Sequence, residues 1–108
     1  MTIRVEMKNG LCLLRIEGEM SIYTAAELKS QLLPHLGLSG ELEIDLSQVS
    51  ELDGAGLQLL LLAKREAARA GATLHLSWHS RAVLEVFDLC NLAGFFGDPL
   101  VISYSTAS

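Results

Sequence analysis

The sequence predicts an α/β domain of the α+β-like kind, with a mixed sheet of four to five strands and helices packed mainly on one face. Stretches in which apolar and polar residues alternate, typical of half-buried strands, are separated by stretches with apolar residues at helical spacing. Strands covered by helices on both faces would be almost continuously apolar. One face of this sheet is therefore expected to be largely solvated. Its predicted members are Arg4, Glu6, Arg15, Glu17, Glu41, Glu43, Asp45, His75 and His79.

The first predicted elements are two strands joined as a hairpin. Apolar and polar residues alternate from Ile3 to Lys8 and again from Cys12 to Glu17. Asn9-Gly10 between them is the strongest short signal for a two-residue hairpin turn. Gly18 is expected to end the second strand.

A helix is predicted next. Thr24 opens it and, with Glu27 three residues on, is expected to form a capping box. Because proline cannot sit deep in a regular helix, Pro34 should end or loosen this one near Leu33. The apolar stripe of this helix consists of Leu28, Leu32 and Leu36.

The stretch that joins the third strand to the second helix organises the chain. The strand is predicted over Glu41 to Leu46, and a turn ending in Asp53-Gly54-Ala55-Gly56 leads into a strongly apolar helix that runs to about Ala70. Asp53 is expected to cap the helix, where free amides and the positive end of the dipole favour a carboxylate. The glycines lack the Lys-Ser/Thr ending of a P-loop and the third glycine of a dinucleotide fingerprint, so they predict no nucleotide site.

The second helix has two contrasting faces on a helical wheel. Its predicted apolar face carries Leu57, Leu60, Leu61, Ala67 and Ala68. The opposite face carries Gln58, Arg65, Glu66, Arg69 and, among them, Leu62. Leu62 is either an ordinary surface leucine or part of an interaction patch.

The last elements are predicted from shorter patterns. Thr73 to Trp78 is a strand, with its inner face formed by Leu74, Leu76 and Trp78. Ser80 caps a third helix whose apolar positions are Val83, Phe87 and Cys90. A short strand at Leu100 to Ser103 is expected before the last residues fray, with the whole of 1–108 forming one domain.

Several chemistries are not favoured by the sequence. His75, Ser77 and His79 alternate on one strand face, but the two histidines would stand about 13 Å apart, which is too far for both to bind one zinc easily, and no third ligand is evident. A solvated strand face is predicted instead, and Cys12 and Cys90 are predicted to be buried free thiols. We expect no catalytic residues, metal or cofactor.

The charge and hydropathy of the sequence limit the kinds of partner and the cellular compartment that we expect. The formal net charge of the 108 residues is −5, which argues against nucleic acid as the main partner. The polar start of the chain does not resemble a signal peptide, and its longest apolar run, Leu59 to Ala63, is too short to span a bilayer. A cytoplasmic protein is expected, and its exposed edge strands allow a dimer.

The chain resembles STAS domains, the family of bacterial anti-sigma factor antagonists and of the cytoplasmic ends of sulphate transporters. The family pattern is an aspartate, two small hydroxyl or alanine residues, then Gly-Leu and an apolar helix. The resemblance covers nearly the whole chain and implies a sheet with helices mainly on one side. It is carried by the hairpin, Gly18-Glu19, Tyr23-Thr24-Ala25-Ala26-Glu27-Leu28, Ile44-Asp45-Leu46-Ser47 and Leu52-Asp53-Gly54-Ala55-Gly56-Leu57.

The resemblance implies partner switching, in which phosphorylation of a serine beside the motif aspartate breaks a complex with a kinase-type anti-sigma factor. Here the two positions after Asp53 are Gly54 and Ala55, which have no hydroxyl, and Ser47 and Ser50 are only nearby substitutes. The sequence therefore predicts a non-enzymatic binding module, in a signalling or chemotaxis-type system, that does not use motif phosphorylation. The alternative is a small subunit that docks on the ATPase of an ABC transporter. The expected partner-binding residues are Asp53, Gly54, Ala55, Gly56, Leu57, Gln58, Leu62, Arg65 and Arg69.

Overall fold

The computed structural model describes residues 2–37 and 40–90 and has the predicted mixed α/β architecture, with three helices and a four-stranded mixed sheet in those ranges. The predicted strand at Leu100 to Ser103 and the predicted frayed end lie outside the described residues. In chain order the elements are β1 (Thr2–Lys8), β2 (Leu11–Met20), α1 (Ala25–Leu36), β3 (Glu41–Leu52), α2 (Gly54–Arg69), β4 (Thr73–Ser77) and α3 (Arg81–Cys90).

The strands lie in the order β1-β2-β3-β4, with β1 and β2 antiparallel and the other neighbours parallel. The predicted hairpin is confirmed, because both turn residues have positive φ, 48° at Asn9 and 83° at Gly10. Positive φ at both central positions gives a two-residue turn the twist of the flanking strands. The two parallel pairs require the crossovers that α1 and α2 supply.

Two apolar rows cross the sheet and form the centre of the core. Cys12, Leu42 and Leu74 lie opposite one another in β2, β3 and β4 and are at most 3% exposed. The next row consists of Leu14, Ile44 and Leu76. The predicted stripe of α1 is buried in the same core, together with Val83 and Phe87 of α3. Burial raises the pKa of the Cys12 thiol, as expected for a structural cysteine.

Two details of α1 differ from the prediction. Thr24 forms no side-chain cap at the helix start, so the capping box with Glu27 is wrong. The Thr24 hydroxyl donates instead to the carbonyl of Glu19, which precedes the helix. Pro34 also does not end the helix, which continues to Leu36. Proline removes one backbone hydrogen bond there, but burial of the last leucine of the stripe holds the final turn in place.

Strand β3 is twice as long as predicted, because it continues from Leu46 to Leu52 rather than giving way to a turn. Its second half pairs with the end of β2, so that Leu52 lies opposite Met20. Register shifts between Arg15 and Glu17 and again between Gly18 and Glu19 interrupt the ladder. This extension brings Asp53 beside the end of β2.

Helix α2 is rotated relative to the helical-wheel prediction. Its buried positions are Gly56, Leu59, Leu60, Ala63 and Ala67, and the predicted apolar residue Ala68 is exposed. Leu57 and Leu61 are half-buried at the edge of the core. The predicted apolar face did not include Leu59 and Ala63, because the apolar arc of α2 is wider than the surface that the sheet covers and the centre of the buried face was placed too far round the helix.

The end of β4 also corrects the prediction. The strand stops at Ser77, and Trp78 has a φ of 54° and is 48% exposed rather than on the inner face. His79 is buried, with its ring edge-on to Phe87 at 5.4 Å, rather than on a solvated strand face. Because Trp78 has a left-handed backbone conformation, the alternation of the strand is interrupted there, and the side chain of His79 faces the core instead of solvent. Ser80 then caps α3 as predicted, since its hydroxyl accepts the amide proton of Val83 at 3.3 Å.

The polar face of the sheet is less solvated than predicted. Asp45 is only 5% exposed, and its carboxylate accepts bonds from Nε of Arg15 at 3.1 Å and from the amide of Ser47 at 2.8 Å. Ser77 is also buried and donates to Glu43 at 2.8 Å. These polar groups tolerate burial because each has a hydrogen-bond partner. His75, by contrast, is exposed as predicted.

Candidate functional site

The candidate site is built where β3 passes into α2. Asp53 has extended backbone angles, φ −110° and ψ −173°, and is the N-cap residue of α2. Its Oδ1 accepts the amide proton of Gly56 at 3.0 Å, and its carbonyl accepts that of Leu57 at 2.9 Å. The predicted capping role is therefore confirmed. The cap satisfies amides that a helix N-terminus otherwise leaves without partners.

Asp53 also fastens a second segment to the helix. Its Oδ2 accepts the amide proton of Ile22 at 2.9 Å, and its own amide donates to the carbonyl of Met20 at 3.1 Å. The amides of Gly56 and then Ile22 hold the pKa of the Asp53 carboxyl below its usual value. At neutral pH this side chain is a carboxylate whose oxygens are already engaged by the backbone. Its role in the site is to position neighbouring groups.

The two glycines of the turn have different surroundings. A methyl group on Gly56 would overlap the backbone carbonyl of Met20 and lie 2.8 Å from Cδ1 of Leu52. Gly56 is therefore required for the close approach of α2 to the end of β2. A methyl group on Gly54 would have no atom within 4 Å. Gly54 faces open space at the first position of the helix.

The loop between β2 and α1 forms the other half of the site. The Thr24 hydroxyl accepts the amide proton of Ser21 at 3.0 Å and donates to the carbonyl of Glu19 at 2.9 Å. The amide of Tyr23 donates to the Ser21 hydroxyl at 3.2 Å. These contacts hold the loop together internally. The hydrogen bond from the amide of Ile22 to Asp53 attaches the loop to the start of α2.

Two large apolar side chains project from this fixed loop. Ile22 is 71% exposed and Tyr23 is 90% exposed, although both backbone amides are hydrogen bonded. Sequence reasoning did not assign them to the site. The available signal was a pair of large residues between Gly18 and the helix that fits neither strand alternation nor the stripe of α1.

The exposed side of α2 continues the surface. Gln58, Leu62, Arg65 and Arg69 follow one another at spacings of four, three and four, which places them in one stripe along the helix. Gln58, Arg65 and Arg69 are exposed, and Nη1 of Arg69 lies 3.3 Å from Glu66. Leu62 is half-buried and packs against the core edge, so it is not a fully exposed leucine. It lies in a shallow groove between α1 and α2 lined by Ala25, Ala26, Lys29, Ala55, Gln58, Leu59 and Leu62.

Comparison with known proteins identifies the family. A profile of the family described as "Mlab, STAS domain" matches residues 3–102, most of the chain. The chain belongs to the STAS domain family. The anti-sigma-B factor antagonist of Bacillus subtilis (strain 168) is 29% identical over 94 residues, which cover 85% of this chain and 86% of that protein.

Several solved structures share the fold of this chain. An anti-sigma factor antagonist from Mycobacterium paratuberculosis superposes with a TM-score of 0.77 at 24% identity, covering 98% of this chain and 89% of that chain. The anti-sigma factor antagonist SpoIIAA in its unphosphorylated form gives a TM-score of 0.70 at 17% identity, covering 98% and 91%. The Bacillus cell fate determinant SpoIIAA in the phosphorylated form gives 0.67 at 17% identity, covering 98% and 95%. These likenesses show that the chain shares the fold of the solved structures.

The structure places most residues of the predicted STAS site at the surface and buries one of them, Gly56. Leu57 and Leu62 are both half-buried and pack against the core, and only Leu62 lies in the stripe of α2. Gly54, Ala55 and the stripe of α2 are accessible. We define the recognition surface as Ile22, Tyr23, Asp53, Gly54, Ala55, Gln58, Leu62, Arg65 and Arg69.

The nearby serines lie elsewhere. The amide of Ser47 donates to Asp45, and Ser47 and Ser50 line a different cleft with Ser80 and Arg81 at the start of α3. Within residues 2–37 and 40–90, no three His, Cys, Asp or Glu side chains group in a way that could hold a metal ion. None of the helices in the described ranges is long and apolar enough to cross a membrane.

Proposed function

We propose that this STAS domain is a non-enzymatic regulatory module that binds a protein partner through the recognition surface. The observation that supports this most is the pair Ile22 and Tyr23, which expose 71% and 90% of their surface on a hydrogen-bonded loop. Apolar side chains held in place at a surface are typical of protein-binding sites, and tyrosine is frequent among their energetic hot spots. Because the loop is already ordered, binding costs little conformational entropy.

The chemistry of the turn supports a module that does not depend on phosphorylation of its motif. Gly54 and Ala55 occupy the positions where the STAS pattern has small hydroxyl residues or alanine, and neither has a side-chain hydroxyl that could be phosphorylated. A phosphate there would add nearly two negative charges at a helix N-terminus and change the contact surface. This chain cannot acquire that charge at the motif. The proposed partner is a kinase-type regulator of the anti-sigma or signalling class, held by shape and by the stripe of α2.

The partner is best tested by affinity capture from the native cell followed by reconstitution with the purified candidate. Recovery and direct binding of an ATP-binding, histidine-kinase-like regulator is the expected result. Direct binding of an ABC-type ATPase instead would support the transporter-subunit alternative. Binding to neither class, with both candidates purified, would contradict the proposal.

The surface is tested with matched exposed residues. Tyr23→Ser should weaken partner binding at least about tenfold, because a hot-spot side chain contributes on the order of 2 kcal/mol or more. Leu89 on α3 is 86% exposed, so Leu89→Ser removes a similarly accessible apolar side chain away from the recognition surface and should leave affinity unchanged. Calorimetric titration gives both affinities, and both variants should melt close to the parent. Equal affinity losses in the two variants would contradict a localised surface.

Regulation is tested by phosphorylation. After incubation with the identified kinase and ATP, mass spectrometry should find no phosphate on the segment from Asp53 to Leu57, and affinity should be unchanged. Phosphate on Ser47 or Ser50 together with loss of binding would overturn the interpretation of this module as a binder that phosphorylation does not switch. Gly54→Ser is a positive control for the assay, because the open space at Gly54 admits the new side chain without strain.

A further inference from the structure

Strand β1 carries apolar side chains that the core does not cover. It lies at the edge of the sheet formed by the described residues. Ile3, Val5 and Met7 lie opposite Ile16, Leu14 and Cys12 of β2. Leu14 is fully buried and Cys12 is 3% exposed, whereas Val5 is 44% and Met7 66% exposed. The apolar face of the sheet therefore extends beyond the area that the helices cover.

The other face of β1 is charged and accessible. Arg4 contacts Glu17 of β2 at 2.9 Å, and Lys8 lies 3.8 Å from Glu6. The side chains of Arg4, Glu6 and Lys8 are 66%, 53% and 71% exposed. Exposed ion pairs of this kind contribute little to stability, so these groups can also interact with charges brought close by another strand.

We propose that β1 pairs with β1 of a second copy of this chain, antiparallel about a two-fold axis at Val5. In this register Arg4 lies opposite Glu6 of the second copy, and by symmetry Glu6 lies opposite its Arg4. Ile3 lies opposite Met7, Thr2 opposite Lys8, and Val5 opposite itself. Five of the seven residues of the strand, Ile3 to Met7, are matched apolar with apolar or opposite charge with opposite charge, as cross-strand pairs require, and the remaining pair joins Thr2 to Lys8.

Neighbouring registers are less favourable. A shift of two residues in one direction places Arg4 opposite Arg4 of the second copy. A shift of two in the other direction places Glu6 opposite Glu6 and Arg4 opposite Lys8. A shift of one residue puts apolar positions opposite charged ones, since successive side chains face opposite sides of a sheet. The charges of β1 thus select one pairing.

The edge has few of the features that prevent strand pairing. No proline interrupts Thr2–Lys8, and the register of β1 against β2 is continuous from Thr2 to Lys8. Edge strands that remain unpaired are often protected by a proline, a bulge or an inward-pointing charge. Here the three side chains on the core side are all apolar. A second copy would extend that apolar face and join the two described sheets through their first strands.

The dimer is independent of the proposed function, because no residue of the recognition surface belongs to β1. Seven paired residues make a short contact of about 24 Å at 3.4 Å per residue. Such an interface falls in the small, transient class. We therefore expect reversible association whose extent depends on protein concentration, with both recognition surfaces carried on one assembly.

Charge reversal gives a direct test by sedimentation velocity from about 10 to about 500 µM, a range suited to weak association. The parent protein should shift from monomer to dimer over this range. Arg4→Glu puts acids opposite acids at both symmetric pairs, and Glu6→Arg puts bases opposite bases. Each single variant should dimerise at least about tenfold more weakly. An equimolar mixture of the two variants should form a heterodimer, because every cross-strand pair is then oppositely charged again.

Glu17→Gln is the matched control, since it removes the same intrachain ion pair as Arg4→Glu but leaves the proposed contact intact. It should dimerise like the parent, and circular dichroism should show that all variants are folded. The double variant Arg4→Glu/Glu6→Arg should recover self-association. A parent that stays monomeric, single variants that dimerise normally, or a mixture that stays monomeric would each overturn the proposal.

Discussion

Replacing Gly56 with alanine tests whether the close approach of α2 to β2 holds the site together. The added methyl group would overlap the carbonyl of Met20, which is backbone and cannot rotate away as a side chain can. The same carbonyl accepts the amide proton of Asp53. The helix N-terminus must therefore move outward and weaken that bond. Gly54→Ala is the matched control, because its methyl group meets no atom within 4 Å.

The expected change in the free energy of unfolding for Gly56→Ala is the sum of three contributions. Overpacking costs about 1–3 kcal/mol, and the weakened hydrogen bond costs about 1 kcal/mol. The better helix propensity of alanine returns about 1 kcal/mol. We expect Gly56→Ala to lower the free energy of unfolding by about 2 kcal/mol and the melting temperature by about 8–16 °C. Gly54→Ala should be neutral or stabilise the domain by about 0.5 kcal/mol.

Thermal unfolding followed by circular dichroism measures both variants, with urea unfolding as a second measurement of the free energy. A melting temperature for Gly56→Ala within about 2 °C of that for Gly54→Ala would refute the reasoning. It would show that the helix can move away from β2 at no cost.

Two further predictions concern Asp53 and Pro34. The lowered pKa of Asp53 stabilises the fold above its unfolded pKa of about 4, and this contribution is lost as the pH falls through the folded pKa. Urea unfolding at pH 7 and pH 3 should therefore show a smaller loss of stability on acidification for Asp53→Asn than for the parent, and equal losses would contradict this. Pro34→Ala restores a backbone donor inside α1 and should stabilise the domain by about 1 kcal/mol in thermal melts. A lower melting temperature would show that the proline fits this helix better than alanine does.

Local patterns predicted most of the fold because they depend on neighbours in the chain. The alternation in β1 and in β2 up to Glu17, the Asn9-Gly10 turn and the stripe of α1 were predicted correctly. Gly18 was expected to end β2, which is wrong, because β2 continues to Met20 by pairing with the second half of β3. The second half of β3 could not be predicted from the sequence. The largely polar stretch from Ser47 to Glu51 becomes a strand only by pairing with the end of β2. That pairing joins distant segments and overrides local preference.

In the candidate site, too, local patterns were predicted correctly and features that depend on distant contacts were missed. Asp53 was predicted as a cap because an aspartate before an apolar helix has a local meaning. The bond from Asp53 to Ile22 spans 31 residues, and nothing in the local pattern indicates it. The exposure of Tyr23 also depends on the hydrogen bonds of its loop. At Trp78 the alternation continued in the sequence, but a left-handed residue ended the strand. Side-chain direction there depends on one backbone angle.

The sheet combines one antiparallel pair with two parallel pairs, and this has a consequence for how the chain folds. The hairpin joins residues close in sequence, as in the contact between Arg4 and Glu17, which are 13 positions apart. The parallel pairs join residues 30 and 34 positions apart, as between Arg15 and Asp45 and between Glu43 and Ser77. Local contacts form quickly, and distant ones wait for loop closure. During synthesis the hairpin should therefore emerge first, and the inner edge of β2 stays unpaired until β3 leaves the ribosome.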